Sequence, residues 1–243
     1  MNSLTPIILA AGASTRMGRP KALLDFDGRT CLEIALDAVR GRLVPRVGKP
    51  FGPIENPPAS IPLIPGQLEI NLVIDDDNTV AYVHQRHLSQ WSSTLEDLYP
   101  QALENLRKRS SPESWRTFTQ APGILFYVAN DSYDASRLLI LRDIVSPWPA
   151  GGVLAAVPFR DMLVCTRLDG IPALKLAEKM VPIVKGAYDT EGYTISDQLF
   201  WTDGETWEAV PVEYAKLGVH INVTERLQRA IESLAGEAKE RTV

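Results

Sequence analysis

The chain has 243 residues, 45% hydrophobic and 23% charged, which is the mixture of an ordinary globular protein with room for one large domain or two small ones. A net charge of -5 gives no electrostatic ground for a nucleic-acid partner, although a local basic pocket for a phosphate is compatible with it. Cys31 and Cys165 lack zinc or redox spacing, no apolar run approaches the roughly 20 residues of a membrane span, and the start lacks a basic secretory region. These features read as a reduced, cytoplasmic protein with no membrane partner.

In chain order, Ile7 to Ala11 is an unbroken apolar run of the kind a buried parallel strand shows. A loop follows from Gly12 to Pro20. Thr30 and Glu33 have capping-box spacing, and a helix is predicted from there to Val39. Seven prolines then fall in 21 residues, from Pro45 to Pro65. Proline fixes φ and removes a donor, so this stretch reads as a linker or an extended wrapping segment, with no helix or central strand. Beyond it the pattern predicts a hairpin of Glu69–Ile74 and Val80–Val83, a helix over Leu95–Arg109, and a strand over Ile124–Ala129. Further on come a helix over Asp134–Val145, paired strands over Gly152–Pro158 and Met162–Arg167, and a helix over Ala173–Ala187 that Pro182 can kink. A hairpin turns at Asp203-Gly204, and a charged helix runs from a Thr224 cap to Glu240. The organisation predicted is α/β to α+β. It comprises a strand-loop-helix over 1–42, a proline-rich segment over 43–66, a mixed α+β domain over 67–215 and a C-terminal helix over 216–243.

The chemistry lies in Leu9-Ala10-Ala11-Gly12-Ala13-Ser14-Thr15-Arg16-Met17-Gly18-Arg19-Pro20-Lys21-Ala22-Leu23-Leu24. A strand that ends in small residues and a glycine lets backbone N–H groups approach a ligand closely, and a concave run of N–H groups is an anion site. Arg16 adds a bidentate cation and Lys21 a point charge for phosphate oxygens. The combination suits a nucleoside triphosphate.

This segment closely resembles the signature loop of the MobA-like nucleotidyltransferases, L-A-A-G-x-S-x-R-M-G-x-P-K-x-L-L, with every fixed position present, and the resemblance runs from residue 7 to about 40. It implies that Ala10, Ala11, Gly12 and Ser14 belong to a nucleotide-binding loop. Arg16 and Lys21 would neutralise the α-phosphate and the leaving pyrophosphate during transfer to a phosphorylated or cofactor acceptor. It implies Mg²⁺ bridging the phosphates, yet the family's G-D-x-P-type run with its metal-binding aspartate does not occur. Asp75, Asp76 and Asp77 are one substitute and Asp131 another. The ordinary reading of the first group is a polar hairpin turn, and of Asp131 a helix cap or turn.

A second resemblance, to the uncharacterised YtpQ-like bacterial family, runs from about Leu43 to Val212. It rests on Leu43-Val44-Pro45-Arg46, Leu72-Val73-Ile74-Asp75, Ala102-Leu103-Glu104-Asn105-Leu106, Tyr133-Asp134-Ala135-Ser136 and Val157-Pro158-Phe159-Arg160-Asp161. It implies a separate α+β domain with no activity to carry over.

Among other features, His84 and His87 read as a surface pair, having no third ligand at a suitable offset. Arg160-Asp161 reads as a turn, the five tryptophans as packing residues and Cys165 as a small buried hydrophobe. Two functions follow. One is a Mg²⁺-dependent nucleotidyltransferase with Ile7–Ala11 central in a parallel sheet. The other is a non-catalytic α+β protein carrying an incomplete leader that packs at the periphery or on a partner. Homo-oligomerisation and the metal ligands are left open.

Overall fold

A computed structural model describes residues 25–26, 29–76, 79–170, 173–215 and 218–240. The architecture is mixed, with sheets and six α-helices among these residues. Two compact units are present. The first takes the described residues up to Pro45 with Phe51–Ile61 and Asn71–Lys108, and the second takes Arg46–Pro50, Pro62–Ile70 and the described residues from Arg109 onward.

In the first unit β1 (Asp25–Phe26) pairs antiparallel with β2 (Arg29–Thr30), and α1 (Cys31–Arg40) follows at once. A four-stranded sheet has the order β3-β5-β4, from β3 (Leu43–Gly48), β4 (Ser60–Ile64) and β5 (Leu68–Asp76), with β6 (Thr79–Tyr82) paired to β5. Two helices complete the unit, α2 (Gln85–Trp91) and α3 (Leu95–Lys108). Leu95, Leu98 and Ala102 recur three and four apart, so α3 has one apolar face. That face packs with Leu36 and Val39 of α1, Leu88 and Trp91 of α2, and Leu43, Leu72 and Ile74 of the strands. Thr94 and Asp97 cap α3 reciprocally: Asp97 Oδ2 accepts the Thr94 N–H at 2.8 Å, and Thr94 Oγ1 accepts the Asp97 N–H at 3.2 Å.

The second unit is built on a six-stranded sheet of order β12-β11-β9-β10-β8-β7, antiparallel at every pairing. Its strands are β7 (Trp115–Phe118), β8 (Ala121–Tyr127), β9 (Val153–Ala156), β10 (Leu163–Arg167), β11 (Leu199–Thr202) and β12 (Trp207–Val210). Every residue of β9 and β11 is buried, so the middle of the sheet is covered on both faces. One face, with Ile124, Leu154, Val164 and Trp201, packs on Met180, Val181 and Val184 of α5 (Leu174–Thr190) and on Leu227 and Leu234 of α6 (Glu225–Glu240). Register places Tyr127 opposite Leu163, and Cys165 opposite Leu125 and Ala155, on the other face. A 3-10 stretch, Ala135–Ile140, leads into the short α4 (Leu141–Ile144). A second hairpin joins β13 (Val212–Ala215) to β14 (Gly218–Ile221). Gly152 opens β9 at a φ of +79°, where a Cβ would stand 2.2 Å from the Thr202 carbonyl oxygen, so no other residue fits.

In the proline-rich segment, read as a linker or an extended wrapping segment, Pro45 lies in β3 and Pro62 in β4. Both strands are terminal in the sheet order among the described strands, where a missing N–H is tolerated. The units interleave along the chain, since β3, β4 and β5 each give residues to both. The helix expected over Asp134–Val145 is mostly 3-10, with Ser136 and Arg137 N–H groups bonded three residues back to Tyr133 and Asp134. Asp134 and Arg137 turn their side chains inward at this point, as described below. Pro182 lies inside α5 without ending it. The strand expected over Ile7–Ala11 lies outside the described residues.

Candidate functional site

The nucleotide-binding set Ala10, Ala11, Gly12, Ser14, Arg16 and Lys21 lies outside the described residues, as does Asp77. The described part of the same segment begins at β1 and continues through α1 to β3. Its end is held firmly. Leu36, Val39 and Leu43 are in the core of the first unit, and the side-chain amide of Asn105 on α3 donates to the carbonyls of Arg40 and Leu43 at 2.8 and 2.9 Å. This bond pair fixes the α1–β3 turn, and Asn105 is itself buried. The described end of the segment is therefore integral to the first unit.

Among the described residues, the aspartates offered as substitute metal ligands belong to no group of three or more His, Cys, Asp or Glu side chains that could hold a metal ion. Asp75 and Asp76 pair across β5 and β6 with Val80 and Thr79, which is the polar hairpin read from the sequence. Asp76 also forms an ion pair of 3.3 Å with Arg42. Asp131 sits in a turn, the ordinary reading of it from the sequence, where its Oδ1 accepts the Tyr133 N–H at 3.1 Å. Its two carboxylate oxygens accept from Arg137 Nη1 at 2.8 Å and Nη2 at 2.7 Å. Arg137 is wholly buried, lies over the Tyr127 ring at 4.8 Å, and also donates to Asp134 Oδ1, Ser110 Oγ and the Arg109 carbonyl. All five guanidinium N–H groups are thus used, the condition for burying such a charge without a large penalty. Burial alone would raise the Asp131 carboxyl, but the hydrogen bonds and charge of Arg137 outweigh it and hold the group below its ordinary value. Asp134 goes the other way. Burial pushes it up to about 6, despite the Ala129 N–H it accepts and the nearby Arg137. Sequence reasoning missed this network because Arg109 and Ser110 lie far from Asp131 in the chain.

The turn between β9 and β10 carries Arg160 and Asp161 in a bidentate pair, closing at 2.9 Å, with the guanidinium 4.4 Å from the Tyr193 ring centre. It is an ordinary, well-satisfied turn. His84 and His87 lie at the start of α2, half-buried rather than on the surface. Among the described residues no group of three or more His, Cys, Asp or Glu side chains could hold a metal ion. The tryptophans pack: Trp91 is in the first core, and Trp115, Trp148 and Trp201 each donate an indole N–H to a backbone carbonyl at 2.9 Å. Cys165 is fully buried between neighbouring strands, and burial pushes its thiol up to about 12, which makes it inert.

Residues 6–48 match the family model of the MobA-like NTP transferase domain. The matched stretch takes in the whole signature loop and, among the described residues, runs through α1 to the end of β3. No curated protein and no solved structure matches the chain. The YtpQ-like resemblance of the later segments rests on its motifs. Among the described residues no helix is long and apolar enough to cross a membrane.

Proposed function

We propose that the chain binds a nucleoside triphosphate through residues 10–21 and acts in nucleotidyl transfer. The observation that carries this reading is the family match over residues 6–48 together with an intact set of small residues, Arg16 and Lys21 in the loop. In such a transfer an acceptor oxygen attacks the α-phosphorus, the bond to the β-phosphate oxygen breaks, and pyrophosphate leaves. Backbone N–H groups at Ala10, Ala11 and Gly12, helped by Ser14, position the triphosphate. Arg16 spreads its charge over two phosphate oxygens, and Lys21 neutralises charge growing on the leaving group. Such chemistry is mainly positioning and electrostatics, which suits a loop without an acid–base side chain.

A Mg²⁺ would ordinarily accompany the triphosphate. The described residues do not fit that ion: they hold no donor cluster, and Asp131 is committed to Arg137. A second reading, in which the loop binds nucleotide and the chain does not catalyse, rests on the sequence, which has no G-D-x-P-type run.

Isothermal titration with ATP, GTP and CTP, with and without Mg²⁺, tests the first claim. Binding should weaken at least tenfold in both Arg16→Ala and Lys21→Ala, since each removes a charge-assisted contact of about 1.5–3 kcal/mol. No binding of any nucleotide by the wild-type chain would refute the proposal. Binding without release of pyrophosphate in the presence of sugar-phosphate acceptors would select the non-catalytic reading.

A further inference from the structure

The first turn of α2 contains two histidines wired in opposite senses. The Nδ1 of His84 faces the carbonyl oxygens of Asn56 and Pro57 at 3.1 and 3.2 Å. Carbonyls only accept, so this nitrogen carries hydrogen, and a second proton elsewhere on the ring would leave both contacts intact. His87 faces donors instead. Its Nδ1 accepts the backbone N–H of His84 at 3.2 Å, and its Nε2 faces Arg86 Nε at 3.3 Å. A neutral imidazole has one acceptor nitrogen to offer these donors, and an imidazolium has none. The His87 ring also stacks 5.7 Å from the ring centre of Trp91, which is buried in the core of the first unit.

We propose that the start of α2 is a pH-sensitive clasp, closed while the His87 ring is neutral and released when that ring becomes a cation. On protonation the His84 N–H loses its acceptor, two N–H groups oppose two donors, and the ring must leave its place against Trp91. The opening frees the turn that also fixes residues 56–58 through His84 and through the Pro58–His84 bridge. The groups acting on the ring agree in direction: burial disfavours the cation first, then the charges of Arg86 and His84. His87 therefore protonates below its ordinary value of 6.5, and the clasp holds above that pH and is lost as pH falls through the shifted value.

Two measurements on the full chain test this. Ring-carbon NMR of the three histidines, with His87 assigned by the His87→Gln variant, should show His87 titrating below 6.5. Titration at or above that value overturns the proposal even if the variant misfolds. Hydrogen-exchange protection at residues 84–88, corrected for intrinsic rate, should fall by up to about tenfold for each pH unit below the titration. In His87→Gln the side chain can still accept the His84 N–H, as glutamine does in a capping box, so the pH dependence should vanish. Equal pH profiles in wild type and variant would rule the clasp out.

Discussion

Arg137 in the second unit and Asn105 in the first do the same task with different chemistry. Each is a polar residue inside its unit, and each joins segments distant in sequence. Asn105 joins α3 to the α1–β3 turn through two backbone carbonyls, at no cost in charge. Arg137 joins Arg109 and Ser110 to the Asp131–Asp134 loop through a charge that needs two carboxylates to be tolerable. A neutral connector can be lost in part. A charged one leaves its partners stranded, so the two units should respond very differently to truncation.

The largest expected effect is at the charged connector. Arg137→Met strands Asp131 and Asp134 in a buried site and should destabilise the chain by about 3–5 kcal/mol, read from the urea midpoint. Arg137→Lys keeps the charge but loses the fork, and should recover part of that loss. Next comes the neutral connector. Asn105→Ala leaves the Arg40 and Leu43 carbonyls without this donor and should cost about 1–3 kcal/mol in the same assay. A loss equal to that of Arg137→Met would erase the contrast.

A pH series sharpens it. Asp134, raised by burial to about 6, binds its proton more readily folded than unfolded. Its contribution is thus present below the unfolded value of 3.8 and lost as pH rises through about 6. Asp131, held low by Arg137 against the effect of burial, contributes above 3.8 and loses that contribution as pH falls further. Asp134→Asn should therefore flatten the stability profile between roughly pH 4 and 6. An unchanged slope in urea midpoints would contradict this. The smallest effect is expected at the α6 cap, where Thr224 Oγ1 accepts the Leu227 N–H at 3.3 Å. Thr224→Ala should cost about 1 kcal/mol by thermal melting.

Much of the fold was legible where one local signal dominated. The apolar spacing of Leu95, Leu98 and Ala102, the Asp203-Gly204 turn and the Thr224 cap each named their element. Legibility failed where distant partners decided. Asp134–Val145 has helical spacing, but the inward bonds of Asp134 and Arg137 accompany a 3-10 course. The β13–β14 hairpin is short and carries Glu213 opposite His220, which hides its alternation. α2 was missed because its seven residues hold only Leu88 and Trp91 as buried positions. For the candidate site the balance is reversed: the signature loop is legible in full because it is contiguous, while the fate of Asp131 required a partner six residues on, itself held by Arg109 and Ser110.

The prolines that look like an interruption have a different consequence at the sheet. Among the described strands β3 and β4 end the four-stranded order, and each contains a position with no N–H to offer. Pro62 is exposed, and whichever neighbour its nitrogen faces, the ladder there lacks one N–H. A proline on a terminal strand is a general device against edge-to-edge pairing, so the residues that break the hydrophobic pattern fall where such a device is used.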